Sequence, residues 1–156
     1  MAGYEEWVTT VPAEMTGDPL WQVKAYRLAL FANTLAWQDA SKLVQDKRVV
    51  GLADQLYRAS GSIAANIAEG YSHRSGKDQA RFYEYSLGSA REARVWYYQG
   101  RHILSEAVIE HRLRLLTDII RLLLIMIPAE RGYKLSDERV AYETDPSDLL
   151  TDPPMP

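Results

Sequence analysis

At 156 residues the chain has room for one domain with a single core, and its 47% hydrophobic and 25% charged residues are ordinary for a soluble globular protein. It contains no cysteine, which excludes disulfides and thiolate metal sites. Of its histidines, His73, His102 and His111, no two stand four apart as one helical face would need to hold a metal, so neither a metal nor a cofactor is expected.

Residues 1–19 carry four acidic side chains and no basic one, with glutamates where a secretory signal would carry lysines. This segment reads as acidic and flexible. Residues 134–156 hold six acidic and two basic side chains with four prolines, and read as a mobile acidic tail. Residues 20–133 hold 16 basic and 11 acidic side chains, a net +5 hidden beneath the overall −3. The apolar run LLLIMI at 122–127 is far too short to span a bilayer, and the chain reads as cytoplasmic with no membrane partner.

No alternation of β-branched residues is long enough for a sheet, and four helices are predicted between the ends. The first runs from about Trp21 to Val44 after an Asp18-Pro19 start, and the second from about Val49 to Tyr71. The third runs from about Gly76 to Leu104 and the fourth from about Glu106 to Ile127, where Pro128 stops it. Short connections make sequential helices antiparallel. The fold class is therefore all-α, an up-down antiparallel four-helix bundle over 20–133.

On the second helix Leu52, Leu56, Ala59, Ile63 and Ile67 form the core stripe, flanked by Gln55, Ser62, Asn66 and Glu69. On the third, Phe82, Ser86, Ser89, Ala93, Trp96, Gly100 and Leu104 repeat at steps of three and four and define the expected core face. Small residues near Ala59, Ala65, Ala68, Gly88, Ser89 and Ala93 would let backbones approach and bring the Asn66 and Glu69 flank against a neighbour.

The stretch QLYRASGSIAANIAEGYSHRSGKDQARFYEYSLGSARE at 55–92 resembles the bacterial four-helix-bundle family first noticed as proteins encoded in intervening sequences of large-subunit ribosomal RNA genes. The pattern falls on Gln55, Leu56, Arg58 and Ala59, then on Ser62, Ile63, Asn66, Ile67, Ala68, Glu69 and Gly70. It continues on Ser75, Lys77 and Asp78, on Phe82, and on Gly88, Ser89 and Glu92. LWQVKAYRLA at 20–29 is similar to the family's first helix. Tyr57 stands where the family commonly has a second arginine, and both ends of the chain lie outside the pattern.

The resemblance implies a bundle that assembles into a ring, with pentamers among relatives, and it implies no enzyme activity. Those relatives include the accessory variability proteins of diversity-generating retroelements, whose ring presents a basic surface to a reverse transcriptase and nucleic acid.

The residues ask for an oligomer independently. In 113–127, 11 of 15 residues are Leu, Ile or Met, whereas one bundle-facing stripe needs about three in seven. A homo-oligomer interface including Leu123, Ile125, Tyr97 and Tyr98 is the expected cover, because Asp118 and the acidic ends discourage a membrane surface.

Glu69 and Glu92 could pair as acid and base, but no histidine stands three after a glutamate as a di-metal carboxylate site would need. The expected role of Arg58, Ser62, Asn66, Glu69 and Glu92 is a structural polar network between helices. In GYSHRSG at 70–76 the expected features are a C-cap at Gly70 and an N-cap at Ser75. Arg74, Lys77, Arg81, Arg91, Arg94 and Arg101 form a basic band along the third helix, interrupted by Glu84, and are the candidate contacts to RNA or DNA. The expected function is a non-enzymatic oligomeric scaffold that binds nucleic acid or a nucleic-acid-processing partner. The competing reading is a protein-binding adaptor that uses its acidic tails.

Overall fold

The computed structural model describes residues 3–132 and 151–156. Among them are six α-helices and no strand: α1 (Tyr4–Thr9), α2 (Ala13–Thr16), α3 (Lys24–Leu43), α4 (Val50–Ser72), α5 (Gly76–Gln99) and α6 (Glu106–Arg131). No helix among the described residues is long and apolar enough to cross a membrane.

The four long helices form a closed circuit in which α3 packs on α4 and α6, and α5 packs on α4 and α6. Residue pairings fix their directions. Trp37 meets Tyr57 while Asn33 faces Gly61, so α3 and α4 run antiparallel. The Ser86 hydroxyl donates to the Ile63 carbonyl at 2.9 Å, and Gly70 abuts Tyr83, which makes α4 and α5 antiparallel. Arg94 reaches Thr117 and Arg131 reaches Glu84, which does the same for α5 and α6.

Local chemistry explains the element ends. The Asp18 carboxylate accepts from the Leu20 N–H at 2.8 Å and Pro19 opens a 3-10 turn (Pro19–Gln22), so α3 itself begins three residues later than the predicted start. Ser105 caps α6, accepting from the Val108 N–H. Gly100 turns the end of α5 into a 3-10 turn, short of the predicted Leu104. Pro128 does not stop α6. It lies inside the last stretch of the helix, which runs on to Arg131 and ends at Gly132 in the left-handed region, with φ 73°.

Periodicity locates the core of α4 correctly on Leu56, Ala59, Ile63 and Ile67, with Leu52 partly buried. On α5 the true core line is Ala80, Tyr83, Leu87, Ala90, Ala93 and Tyr97. Phe82, Ser89 and Trp96 are only half-buried, because two tyrosines take the interior places that the sequence reading gave to them. Gly88 is exposed with nothing near a virtual Cβ, so it allows no close approach. Gly70 and Gly76 do: a Cβ on Gly70 would stand 2.8 Å from the Tyr83 ring, and one on Gly76 would strike the Glu130 carbonyl oxygen.

Residues 3–19 are not a free acidic arm. Tyr4 and Trp7 are buried, with Trp7 centred 5.3 Å from Phe31 and 6.2 Å from Trp21, and Tyr4 set edge-on to Phe31 at 5.4 Å. Burial of two aromatic side chains outweighs the acidic composition around them, and Glu5 and Glu6 sit in the first turn of α1, where the helix dipole favours them. Of the expected acidic tail, residues 134–150 lie outside the described residues, whereas 151–156 lie against the helices with Pro153 buried.

Candidate functional site

The α4–α5 turn brings aromatic and basic side chains together. The His73 N–H donates to the Gly70 carbonyl, and the Gln79 side-chain amide donates to the His73 carbonyl, so both sides of the turn are tied down. His73 is thereby held with its ring stacked on Phe82, centroids 4.8 Å apart and planes inclined by 14°. Phe82 meets Tyr85 edge-on at 5.6 Å, and the Arg81 guanidinium lies 5.4 Å from the Phe82 centroid. Tyr85 is 53% exposed at the outer end of this ladder. Gly70 is not the helix cap. It lies buried within α4, where its missing side chain admits the Tyr83 ring, and α4 ends two residues later with His73 as its C-cap. Ser75 occupies the N-cap position of α5 without a side-chain cap bond.

Around the ladder the cations divide. Arg74 and Lys77 are exposed and take no part in an ion pair among the described residues, and Arg81 pairs loosely with Asp78 at 3.8 Å. Farther along α5 the expected band breaks up. Arg91 is exposed, Arg94 turns to α6 and donates to the Thr117 hydroxyl at 3.3 Å, and Arg101 folds back over the Tyr98 ring at 4.1 Å. From Lys77 to Arg101 is about 36 Å of helix. Arg74, Lys77 and Arg81 thus form one cluster, and Arg101 belongs to the opposite end.

Among the described residues, Arg58, Ser62, Asn66, Glu69 and Glu92 do not form the expected interhelical network. The Asn66 amide donates to the Ser62 carbonyl and the Ser62 hydroxyl to the Arg58 carbonyl, both within α4. Arg58 faces Asp54, Glu69 faces His73, and Glu92 accepts from the Trp96 indole at 3.1 Å, each one turn away on its own helix. The flank carrying these residues looks outward, because the core stripe of α4 already fills the interface with α5.

The interior polar cluster is elsewhere. Asp39 and Arg112 are buried at 0% and 1% exposure and joined by two hydrogen bonds, Nε to Oδ2 at 2.8 Å and Nη2 to Oδ1 at 3.1 Å. The Tyr97 hydroxyl donates to Asp39 Oδ2 at 2.7 Å, and Arg112 Nη1 donates to His111 Nδ1 at 2.9 Å. Burial first, and the Asp39 carboxylate next, push the Tyr97 phenol well above its ordinary pKa. Sequence reasoning missed this cluster, yet it left a mark: Asp39 falls in the series Leu28, Ala32, Leu35, Leu43, and Arg112 in the series Val108, Leu115, Ile119, Leu123.

Two expected interface residues are corrected by the same packing. Leu123 and Tyr97 belong to the core, at 0% and 2% exposure, and offer no outer surface. Ile125 and Tyr98 are exposed. Most of the apolar excess of α6 is absorbed at home, since Leu113, Leu122, Leu124 and Met126 pack partly buried against the core. Another exposed apolar feature escaped the sequence reading: Trp37 and Tyr57 in edge contact at 5.5 Å on the α3–α4 face. Nearby on that face, the shielded Asn33 side-chain oxygen accepts no hydrogen bond among the described residues.

Among the described residues no group of acidic side chains and histidines could hold a metal. The profile of the family described as 23S rRNA-intervening sequence protein matches residues 22–125, two thirds of the chain. The chain belongs to this family. No curated protein and no solved structure matches it significantly.

Proposed function

We propose that this protein is a non-enzymatic scaffold, an up-down four-helix bundle assembled into a ring-like homo-oligomer of five subunits, that binds nucleic acid or a nucleic-acid-processing protein such as a reverse transcriptase. The observation that carries the reading is the ladder His73, Phe82 and Tyr85 with Arg74, Lys77 and Arg81 around it. Aromatic faces accept unpaired bases by stacking, and clustered cations neutralise the backbone that carries those bases. Family membership supports the link to ribosomal RNA genes through the family's description alone. Assembly is supported by the exposed Trp37–Tyr57 pair and by Ile125. An interface supplies both with an apolar cover.

Fluorescence anisotropy with a labelled single-stranded oligonucleotide at graded salt tests the binding. Affinity should fall with salt at a log-log slope of about −0.7 per phosphate contact. Changing Arg74, Lys77 and Arg81 to Glu should abolish binding, Tyr85→Ala should weaken it by about 1–3 kcal/mol, and Arg101→Glu at the far end should leave it unchanged. Absence of binding to RNA and DNA at low salt, single-stranded or duplex, overturns the proposal.

A further inference from the structure

The C-terminal residues end on the buried ion pair. Pro153 is buried, and the Pro154 carbonyl accepts from Arg112 Nη2 at 2.9 Å. That guanidinium already gives Nε and one Nη2 hydrogen to Asp39 and an Nη1 hydrogen to His111. The Pro154 carbonyl therefore takes the second Nη2 hydrogen, which points away from Asp39.

The chemistry of this seat is selective. Asp39 and Arg112 cancel in net charge, so the seat offers a fixed donor with much less pull on an anion than an unpaired guanidinium would have. Its occupant is matched to it: three of the last six residues are proline, so the segment TDPPMP is rich in carbonyl acceptors and poor in N–H donors. Prolines also hold such a segment extended before it binds, which lowers the entropy lost on docking. Reach is no obstacle. Arg112 lies about 30 Å back along α6 from Gly132, and the 18 residues between Gly132 and Thr151 can extend to about 60 Å.

We propose that the Arg112 seat is a binding site for an extended, proline-containing peptide, filled in cis by the chain's own residues 151–156 and open to the same sequence in trans when that end is released. A tethered ligand competes at an effective concentration near the millimolar range, so the intact chain should take up added peptide poorly.

The test uses the full chain, unchanged and carrying Pro153→Asp, which places a charge where the proline is buried. The probe is a fluorescein-labelled peptide of residues 147–156, read by polarisation. The Pro153→Asp chain should bind it at least tenfold more tightly than the unchanged chain, and a peptide with glycine at positions 153 and 154 should bind at least tenfold less tightly. Equal curves for the two chains, or no discrimination between the peptides, overturn the proposal. Should Pro153→Asp lose helical circular dichroism, the unchanged chain with a protease site inserted after Leu150, cut while folded, replaces it. Uptake of labelled peptide after cutting supports the seat, and no uptake overturns it.

Discussion

Arg112 and Asp39 face each other across the α3–α6 interface through two nearly parallel hydrogen bonds, with both side chains withdrawn from water. Removing one partner leaves a buried charge without its counterpart, whereas removing both leaves an apolar gap that can be filled. Asp39→Ala should therefore cost about 3–5 kcal/mol in urea unfolding, and the double change Asp39→Leu with Arg112→Leu should cost clearly less. A double mutant at least as damaged as the single would show that the pair stabilises the fold beyond satisfying itself.

Tyr97 makes the protein sensitive to alkali. Its phenol has a raised pKa in the folded chain and an ordinary one near 10 when unfolded, so its contribution is complete below about pH 10. Above that, the unfolded chain gives up a proton that the folded chain keeps, and stability falls by up to about 1.4 kcal/mol per pH unit until the folded group titrates. Tyr83, pushed up to about 12 by burial and then by Glu130 and Tyr71, acts in the same direction. Thermal melts from pH 8 to 11 should show the loss, and Tyr97→Phe should flatten it.

Asn66 and Glu69 should matter little to the stability of the single chain. Asn66 bonds within α4 and Glu69 pairs with the capping His73, so Asn66→Ala or Glu69→Ala should change stability by less than about 0.5 kcal/mol in dilute solution. A loss of about 2 kcal/mol or more that appears only at higher protein concentration would place this flank in a contact between copies of the chain.

Glycines sort by what surrounds them. Gly70→Ala forces a methyl group against the Tyr83 ring and the Gln79 carbonyl, and should cost about 1–3 kcal/mol. Gly88→Ala, in an exposed turn of α5 with open space around it, should instead raise stability by about 0.5–1 kcal/mol. Chemical denaturation of both variants checks the opposite signs.

Ile125, at 69% exposure, is the most exposed of the large apolar side chains among the described residues. Ile125→Glu should leave the protomer's melting unchanged. Light scattering should show a lower mass if this face is covered by another copy.

What the sequence revealed follows from how steep each signal was. The α4 stripe was legible because Leu56, Ala59, Ile63 and Ile67 offer a single apolar line. On α5 two lines compete, one through Phe82 and Trp96 and one through Tyr83 and Tyr97, and periodicity alone cannot tell which tyrosine hydroxyl will find an interior partner. That partner, Asp39, comes from a helix 58 residues away. Charged residues in a core register were the missed warning. The basic residues of α5 were legible as types but not as a site, since Arg94 and Arg101 are drawn away by Thr117 and Tyr98. At the N-terminus, acidic composition hid Tyr4 and Trp7, three residues apart and on one face of a single short helix.

The aromatic cluster formed by that short helix has an optical consequence. Trp7 and Trp21 stand 6.2 Å apart with their rings tilted by 33°, close enough for the electronic transitions of the two indoles to mix. Detachment of α1 would remove that exciton signal from the circular dichroism while leaving the four long helices to absorb as before. The protein carries an internal, label-free gauge of whether α1 is seated.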